Sequence, residues 1–438
     1  MVRTLGLVLI LGVFYLGFSV QTQQKREPDA EIARKLALRC RQLLDTSVVR
    51  FFLPACLNTE QGGYYETWKA GKFVSTGSQF VTQQARTLWF CSTLAREGIN
   101  RECTLKAAHH GYTHLQKAFL DEKHGGYFSK VRDDDEPLDL RKHVYLQSFV
   151  LYGLSAYYRA SNDATALQAA KALFTLLEKH AYDKAHGGYN EFFYRDWEFI
   201  RDTGEPIYVG PIGCKTYNTH LHILEAYTEL YRIWPDALVK ERLLELIHII
   251  TAKMRHRLHA FHLDQWQQDW QQIETPQNNR ASYGHDLECT WLVQEAWRVL
   301  EIPVETQRAW IQEVVDYSLR FGYDEKHGGF FMGGKPGEPA DDTRKEWWVQ
   351  AEALVGLLEA YTLLEDIRYW QAFLKTLDFI EKYQIATEGG WRATLEADGR
   401  VIRDERASMW QGPYHTGRAL LHCAKILESQ RLPLSIRK

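Results

Sequence analysis

One short turn recurs along this chain at a nearly constant distance. Five copies read x-Gly-Gly-aromatic, and their first glycines are Gly62, Gly125, Gly187, Gly328 and Gly389. Successive first glycines are 63, 62, 141 and 61 residues apart, so the third interval is about twice as long as the others. We expect a degenerate sixth copy inside that interval, near residues 259–264. A self-similar period of this length is typical of a repeat architecture.

Each interval has room for two helices. Residues 151–159 and 164–180 show helical periodicity in one interval, and residues 291–300 and 308–321 show it in another. Repeats of equal length with one helix pair each predict a closed or stacked helical array. Glycine permits a positive φ angle in the turns, where the aromatic ring covers one end of the core. We therefore predict an all-α protein, an (α/α)6 barrel of six helical hairpins with short β-hairpin-like loops, as a single domain over residues 29–438.

The composition is that of a globular protein with a large core. Hydrophobic residues make up 45% of the chain and charged residues 25%. A net charge of −3 gives no electrostatic reason to expect nucleic acid or an anionic membrane as a partner. The 14 Trp, 23 Tyr and 20 Phe residues suit stacking on sugar rings, but they also suit the packing of a helical core. Composition leaves these two uses of the aromatic residues open.

The N-terminus has the order of a secretory signal peptide. After Arg3, residues 4–20 are uncharged and strongly apolar, and a polar stretch follows them. This pattern predicts a signal peptide over residues 1–20 and export to the periplasm or the exterior. Residues 18–20 lack the usual small-x-small cleavage pattern. An uncleaved N-terminal membrane anchor is therefore the alternative, and we expect no other membrane association.

The seven cysteines are scattered, and no Cys-x-x-Cys pair occurs. Several lie in apolar helical stretches, as Cys91 and Cys423 do. We therefore expect small buried hydrophobic residues rather than a zinc site or a disulfide framework. One or two disulfide bridges after export stay open.

Two stretches place polar side chains on otherwise apolar helices. Arg86 has apolar neighbours, so its guanidinium would point inward and need an anion or a carbonyl as partner. A structural salt bridge at a helix end is the alternative for Arg86. Asn218 and His222 are four residues apart, which puts both on one helical face. His220 would point elsewhere on that helix, so we do not expect the His-x-His pair to bind a metal.

Two further stretches place histidines at helix starts. His285 and Glu288 are three residues apart, so the carboxylate is expected to orient the imidazole and raise its basicity. A capping cluster that includes Asp286 is the alternative. His415 opens the last apolar helix of the chain. In a barrel, corresponding helix ends converge on one mouth, so His222, His285 and His415 are expected to meet there.

Converging histidines and an arginine favour proton transfer. Two imidazoles with near-neutral pKa values can remove a carbon-bound proton and return it, each as base in one direction and acid in the other. Arg86 would stabilise the enolate-like oxygen that forms beside that carbon. The pattern therefore indicates an isomerase or epimerase that acts next to a carbonyl group.

Six motifs resemble the N-acylglucosamine 2-epimerase superfamily, and most of all its cellobiose 2-epimerase branch. The motifs are Gln84-Ala-Arg86-x-x-Trp89, Lys142-His-Val-Tyr145-x-Gln-Ser-Phe149, Asn218-Thr-His-Leu-His222, Tyr283-Gly-His285-Asp-x-Glu288, Glu346-Trp347-Trp-x-Gln-Ala-Glu352 and Trp410-x-Gly-Pro-Tyr-His415. They recur in order over nearly the whole chain after residue 30. Members of that superfamily are (α/α)6 barrels, so the resemblance implies the same fold as the repeat does.

The resemblance also implies roles for nine residues. His285 and His415 would act as the acid and the base, and His222 and Arg86 would bind the oxygens of the ring-opened sugar. Tyr145, Asn218 and Glu288 would support these groups. Trp347 and Trp410 would stack on the sugar. The implied reaction inverts C2 of an aldose through an enediolate, without cofactor or metal, and its partner is a small-molecule sugar. A monomer or a homodimer is expected.

The sequence leaves alternatives open for both the substrate and the reaction class. Cellobiose-acting relatives carry an acidic residue just ahead of the Asn-x-x-x-His motif, whereas residues 208–214 of this chain contain none. A disaccharide such as cellobiose and free glucose or mannose are therefore both open. Aldose–ketose isomerisation and N-acylglucosamine 2-epimerisation are the nearest alternatives. A glycoside hydrolase or lyase would need a carboxylate pair from Asp286, Glu288 or Glu352. The non-enzymatic alternative is a sugar-binding or protein-binding barrel.

Overall fold

The computed structural model describes residues 29–201, 208–429 and 431–433. The predicted signal peptide over residues 1–20 lies outside the described residues, so export stays a prediction. Among the helices of the described residues, none combines the length and the apolar character that a membrane crossing requires. All seven cysteines are unpaired, and six of them are buried, as expected for small hydrophobic residues.

Most of the described chain is helical, as the sequence predicts, and the long helices fall into two sets. The inner helices are α3 (Val81–Arg96), α5 (Val144–Ser161), α7 (Tyr217–Ile233), α9 (Tyr283–Val299), α11 (Trp347–Leu364) and α13 (Pro413–Glu428). The outer helices are α1 (Ala30–Leu43), α4 (Arg101–His114), α6 (Ala164–His180), α8 (Ala237–His248), α10 (Arg308–Gly322) and α12 (Ile367–Phe379). A π-helical segment, Leu44–Val49, and the single-turn helix α2 (Arg50–Phe52) continue α1.

The two sets differ in burial because they differ in sequence pattern. Helix α3 buries every residue except Arg96, whereas α6 buries only the stripe Ala166, Ala170, Leu173, Phe174 and Leu177. A helix enclosed on all sides belongs to the core, and a helix with one apolar stripe lies at its surface.

The inner helices contact one another in a closed cycle. Helix α3 packs on α5, α5 on α7, α7 on α9, α9 on α11, α11 on α13, and α13 returns to α3. Each inner helix also packs on one outer helix, and the outer partner of α13 is α1 from the opposite end of the chain. The result is a helical barrel that the two chain ends close.

The repeated turns join the outer helices to the inner helices. Both glycines of each of the five Gly-Gly turns have positive φ, for example 72° at Gly125 and 72° at Gly126. A one-residue antiparallel bridge ties each turn together. These bridges are Leu57–Tyr64, Leu120–Tyr127, Tyr182–Tyr189, Arg255–His262, Tyr323–Phe330 and Ile385–Trp391. The Arg255–His262 bridge lies in the long interval, near the predicted degenerate copy, and has His262 in the aromatic position.

Short antiparallel strands lie at the N-terminal ends of the inner helices. The strands are β1 (Thr67–Lys69), β2 (Lys72–Val74), β3 (Ser78–Phe80), β4 (Lys130–Arg132), β5 (Pro137–Asp139), β6 (Lys142–His143), β7 (Phe192–Phe193), β8 (Lys215–Thr216), β9 (Gln265–Trp266), β10 (Ala281–Ser282), β11 (Gly333–Gly334), β12 (Lys345–Glu346), β13 (Thr394–Leu395) and β14 (Val401–Arg403). Strands β3, β6, β8, β10 and β12 run directly into α3, α5, α7, α9 and α11. They pair with β4, β7, β9, β11 and β13 of the following unit. The strand pairs thereby link neighbouring units at this end of the barrel.

A belt of ion pairs lies toward the C-terminal ends of three inner helices. Arg232 of α7 contacts Glu229 at 2.8 Å and also pairs with Glu295 of α9. Arg298 of α9 lies 2.5 Å from Glu295 and 2.5 Å from Glu359 of α11. We call these five residues the ion-pair belt. Because an arginine of one helix pairs with a glutamate of the next, the belt joins neighbouring helices at the end away from the strands.

Candidate active site

A cavity of about 580 Å³ opens among the N-terminal ends of the inner helices. All nine residues that the sequence singled out line this one cavity. They are Arg86 on α3, Tyr145 on α5, Asn218 and His222 on α7, His285 and Glu288 on α9, Trp347 on α11, His415 on α13, and Trp410 in the loop before α13. Its volume is within the range of small-molecule sites.

Arg86 is buried, and within the described part of the chain none of its hydrogen bonds goes to a carboxylate. Its Nη2 donates to the hydroxyl of Tyr145 at 2.9 Å, and its Nη1 donates to the carbonyl of Trp410 at 3.4 Å. The guanidinium lies over the ring of Phe149 at 4.1 Å and near that of Tyr414 at 4.8 Å. Neutral oxygens and aromatic faces hold the group in place without neutralising it. An oxyanion in the cavity would supply the missing charge.

A carboxylate on the same helix fixes the orientation of the His222 ring. Its Nδ1 donates to Glu225 Oε2 at 2.9 Å. Burial lowers the pKa of His222, and the bond to Glu225 opposes that shift. With Nδ1 held, Nε2 is the ring nitrogen left for a ligand. Asn218 precedes His222 by one turn and also lines the cavity, and its Oδ1 lacks a partner within the described part of the chain.

A carboxylate on a neighbouring helix fixes the orientation of the His415 ring in the same way. Its Nδ1 donates to Glu352 Oε1, on α11, at 2.6 Å, and Glu288 Oε1 lies 4.0 Å away. Burial lowers the pKa of His415 well below its ordinary value, and the positive charges of Arg86 and Arg418 add to that effect. The imidazole is therefore neutral in this setting, with Nε2 as its free base.

His285 does not have the partner that the spacing predicted. Its Nδ1 pairs with the hydroxyl of Ser282 at 2.9 Å, whereas Glu288 accepts from Arg418 Nη2 at 2.5 Å. The expectation that Glu288 orients His285 is wrong, because a buried carboxylate is stabilised more by a guanidinium than by a neutral imidazole. Burial lowers the pKa of His285 to about 3.

The indole of Trp348 lies close to two of the histidines. Its ring centroid is 4.6 Å from that of His285 and 6.0 Å from that of His415. Trp348 also lines the cavity, beside the predicted residue Trp347. Sequence reasoning missed it, although the Trp347-Trp348 doublet stands in one of the quoted motifs. Trp348 therefore contributes an aromatic face beside both imidazoles.

A buried network beneath the cavity was also missed. Arg418 of α13 pairs with Glu225 of α7, Glu288 of α9 and Glu352 of α11. The available signal was spacing, because Arg418 follows His415 by three residues and Glu225 follows His222 by three. Both charged residues interrupt apolar helical runs, where a charge needs a buried partner.

Two clusters offer donor atoms of the types that hold metals, yet arginines already bind them. Oxygen and nitrogen atoms of Glu288, Glu352 and His415 lie within 4.8 Å of one another, but Arg418 donates to both carboxylates. Glu295, Glu359 and His422 form the second cluster. Its two carboxylates belong to the ion-pair belt and bind the belt's arginines. A guanidinium inside the donor set repels a cation, so neither cluster fits a metal ion.

His220 supports a turn and stays out of the cavity. Its Nδ1 contacts the carbonyl of Thr216 at 2.8 Å, and its Nε2 accepts from the backbone N–H of Tyr189 at 3.0 Å. In other units a glutamine makes the corresponding bond, as Gln147 does to the backbone N–H of Tyr127 at 2.9 Å. The His-x-His pair therefore diverges, as the helical spacing predicts.

The fold and the site together define a helical-barrel protein whose candidate proton-transfer groups meet in one sugar-sized cavity. The chain belongs to the N-acylglucosamine 2-epimerase (GlcNAc 2-epimerase) family, whose model matches residues 62–419. It is 32% identical to the cellobiose 2-epimerase of Bacteroides fragilis over 394 residues, which cover 86% of this chain and 95% of that protein.

Solved structures show the same relationship. A cellobiose 2-epimerase from Spirochaeta thermophila has a TM-score of 0.81 at 31% identity, covering 91% of this chain and 98% of that chain. One from Bacillus thermoamylovorans has a TM-score of 0.79 at 31% identity, covering 89% and 99%. These similarities extend over about nine-tenths of the chain.

Proposed function

We propose that this protein is a carbohydrate 2-epimerase that inverts C2 of an aldose and so interconverts gluco and manno sugars. One observation carries the proposal above the others. His285 and His415 line the same cavity from two helices, and the ring of Trp348 lies near both imidazoles. Membership of the N-acylglucosamine 2-epimerase family and the similarity to cellobiose 2-epimerases support the same reaction.

The reaction needs two bases on opposite faces of one carbon. The sugar opens to its aldehyde, and one of His285 and His415 takes the proton from C2. The electron pair moves toward the carbonyl and gives an enediolate, whose negative oxygen lies against Arg86 and His222. The other histidine takes up a proton from solvent as the negative enediolate forms and delivers it to the opposite face of C2, and the first histidine releases the C2 proton to solvent. The product is the C2 epimer, with no net gain or loss of atoms.

The uncompensated charge of Arg86 fits this scheme. An enediolate is an anion, whereas the aldehyde that precedes it is neutral. An interaction that strengthens as negative charge develops lowers the barrier, because it favours the transition state over the substrate. Tyr145 holds the guanidinium, and Asn218 and Glu288 supply further polar groups. Trp347 and Trp410 offer aromatic faces for stacking on the sugar ring.

The mouth of the cavity supports a sugar substrate of one or two units. Tyr208 and Val209 line it from the loop before α7, and residues 208–214 of that loop contain no acidic residue. Charged groups come instead from β14 and from the residue before α11, where Arg403 lies 3.1 Å from Glu346. Free mannose or glucose and the disaccharide cellobiose are therefore both substrates to test.

One assay in deuterated water tests the reaction and its nearest rival. The enzyme is incubated with mannose, cellobiose or N-acetylglucosamine, and the products are identified by NMR. Epimerisation gives glucose from mannose, with deuterium at C2. Fructose with deuterium at C1 would instead establish an aldose–ketose isomerase, and release of monosaccharides from cellobiose would establish a hydrolase. No exchange and no product with any of the three sugars would overturn the proposal.

We also propose that the helices form an (α/α)6 barrel that is one catalytic domain over residues 29–438. The cyclic contacts of the six inner helices and the six outer partners support this count. Pairing of α1 with α13 makes the two chain ends interdependent. A single cooperative transition in calorimetry is expected, and two separate transitions would contradict it.

A further inference from the structure

Three carboxylates beneath the cavity share one guanidinium. Arg418 Nη2 donates to Glu288 at 2.5 Å and to Glu352 at 2.8 Å, while its Nη1 binds Glu225. All four side chains are at most 4% exposed. If all three carboxyl groups were ionised, the cluster would hold an excess of two negative charges away from water. Uncompensated buried charge is costly, and the usual response is that one group keeps its proton.

The three carboxyl groups are not equally supplied with donors. Glu225 and Glu352 each accept hydrogen bonds from three side chains. The donors are Tyr414, His222 and Arg418 for Glu225, and His415, Arg418 and Trp291 for Glu352. Glu288 accepts from Arg418 alone, on Oε1. Its Oε2 is buried without a hydrogen-bond partner in the described part of the chain, and Glu288 lines the cavity.

We propose that Glu288 carries a proton in the working enzyme and presents its Oε2–H to an oxygen of the sugar as a hydrogen-bond donor. An ionised carboxylate can only accept hydrogen bonds, so it is stabilised in proportion to the donors around it. Glu288 has the fewest donors of the three and therefore gains least from ionising. A protonated carboxyl group also turns the unpartnered Oε2 into a hydrogen-bond donor on a residue that lines the cavity. The identity of the ligand rests on the proposed function, but the protonation state does not.

The surrounding charges favour the same assignment. Burial and the negative charge of Glu352 raise the pKa of Glu288 well above its ordinary value, and Arg418 opposes them. Burial also raises the pKa of Glu352, against bonds from Arg418 and Trp291. Titratable or charged groups reach Glu288 from each inner helix around it. They are Tyr145 on α5, Tyr217 and Glu225 on α7, Cys289 on α9, Glu352 on α11, and Tyr414, His415 and Arg418 on α13.

A neutral Glu288 lowers the excess charge of the buried cluster from two negative charges to one, because only ionised Glu225 and Glu352 then face Arg418. The histidines stay neutral in the sugar-free protein. Neutral imidazoles are what a base at C2 requires. An ionised Glu288 would instead draw protons onto the nearby His415, whose Nδ1 lies 4.0 Å from it.

Variants at Glu288 and Glu352 test the assignment, because glutamine imitates a protonated carboxyl group and not an ionised one. Glu288→Gln keeps a neutral group with a donor, so we expect kcat/KM to fall only about tenfold. Glu288→Ala removes the donor, and a loss of about a hundredfold or more is expected. Glu352→Gln, the matched control, removes an anion that His415 and Arg418 use. It should be as impaired as Glu352→Ala.

The pH profile gives a readout that a merely structural role would not change. Activity that needs protonated Glu288 is lost as the pH rises through the raised pKa of that group. This basic limb of kcat/KM should disappear in Glu288→Gln and persist in Glu352→Gln. Circular dichroism and thermal melting check that each variant is folded.

Infrared spectroscopy of the sugar-free protein detects the proton on Glu288 independently of catalytic turnover. A protonated buried carboxyl group gives a C=O band that shifts in deuterium oxide. Burial raises the pKa of Glu66 and of Glu191 to about 8, so these groups contribute to the same band in the wild type and in Glu288→Gln. The difference spectrum of wild type minus Glu288→Gln removes their contribution and should show a positive C=O component from Glu288. Absence of that component would overturn the proposal, as would a Glu288→Gln variant no more active than Glu288→Ala. If the wild type epimerises no sugar, the proposed function fails, yet the infrared result still decides the state of Glu288.

Discussion

Nδ1 of His415 lies 2.6 Å from Oε1 of Glu352, and both groups are buried. The carboxylate comes from α11 and the imidazole from α13, so the contact of these two helices sets the ring orientation. His222 has the same arrangement at 2.9 Å, with Glu225 from its own helix. A carboxylate at Nδ1 fixes the tautomer and leaves Nε2 toward the cavity. The two rings are therefore oriented before a ligand binds.

Removal of either proton-transfer histidine should abolish epimerisation and leave the fold intact. We expect His285→Ala and His415→Ala each to lower kcat by about a thousandfold or more, because general acid–base groups contribute factors of that order. The two-base scheme adds a sharper expectation. Each variant should still exchange the C2 proton of one epimer with solvent, and the two variants should prefer opposite epimers. NMR of mannose and glucose in deuterated water measures both quantities.

His248→Ala is the matched control for these two variants. His248 is exposed on the outer helix α8, so its loss should leave both turnover and exchange unchanged. If His285→Ala and His415→Ala lose exchange from the same epimer, the two histidines do not act on opposite faces.

Acid should affect activity only below the range where a free histidine titrates. Burial lowers the pKa of His285 to about 3 and that of His415 well below its ordinary value. A base with a lowered pKa stays neutral as the pH falls. The acidic limit of kcat/KM should therefore lie below the ordinary histidine value of about 6.5. A profile of kcat/KM against pH, with each sample returned to neutral pH as a reversibility control, checks this. A limit at or above the ordinary value would contradict it.

The same histidines make stability fall in acid. Their folded pKa values are below the unfolded value, so below about pH 6.5 the unfolded chain binds more protons than the folded chain. Their contribution to folding stability is present above that pH and is lost as the pH falls further. Denaturant unfolding at several acidic pH values measures the slope, which His285→Asn should reduce.

Local spacing was enough to predict much of the fold and the convergence of Arg86, His222, His285 and His415 on one cavity. Two adjacent glycines predict positive φ at the turns, and their regular distance reveals the units, including the degenerate one at His262. The spacing of Asn218 and His222 decides that they share a helical face, and that His220 does not. Helix geometry fixes these relationships within a few residues, so the rest of the chain is not needed to derive them.

Partners across helices could not be predicted in this way. Glu288 binds Arg418, which is 130 residues away in sequence, rather than His285 three residues away. That choice depends on which inner helices are neighbours and on how the cycle from α3 to α13 closes. The same holds for Glu352 and His415. One sequence gives the spacing along each helix but not the rotation of one helix against the next.

Glu359 of the ion-pair belt should matter more to stability than an exposed carboxylate. It is fully buried and accepts from Arg298, from His422 at 2.8 Å and from Arg431 at 3.4 Å. Glu359→Gln would leave these positive groups without their anion, at a cost of about 3 to 5 kcal/mol in the free energy of unfolding. Denaturant unfolding measures this cost, with the exposed Glu381→Gln as control.

The loss of folding stability caused by Glu359→Gln should become smaller as the pH falls. Burial alone would raise the pKa of Glu359, but Arg298 and His422 lower it below its ordinary value. Its contribution to stability is then present above the unfolded pKa of about 4.3 and is lost as the pH falls below it. The difference between the wild type and Glu359→Gln should narrow in acid. A difference that stays constant would show that packing, and not charge, sets the cost.

The repeated turn at Gly188 should tolerate a methyl group less well than an unconstrained turn does. Gly188 has φ +69°, and a Cβ there would lie 2.6 Å from Trp270 Cζ2 and 2.8 Å from His220 Nε2. Gly71 has φ +82° but open space around it. Gly71→Ala should cost about 1 kcal/mol of stability for the backbone conformation. Gly188→Ala should cost about 3 kcal/mol, because overpacking adds to the same backbone term.

Equilibrium unfolding of the two alanine variants separates the backbone term from the packing term. Since both glycines have similar positive φ angles, the difference between their costs reports on the contact with Trp270 and His220. Gly188→Ala should also weaken the bond from the backbone N–H of Tyr189 to His220, because His220 must move away from the new methyl group. Hydrogen exchange at Tyr189 would then be faster in Gly188→Ala than in Gly71→Ala. Equal costs and equal exchange rates would mean that His220 does not hold this turn.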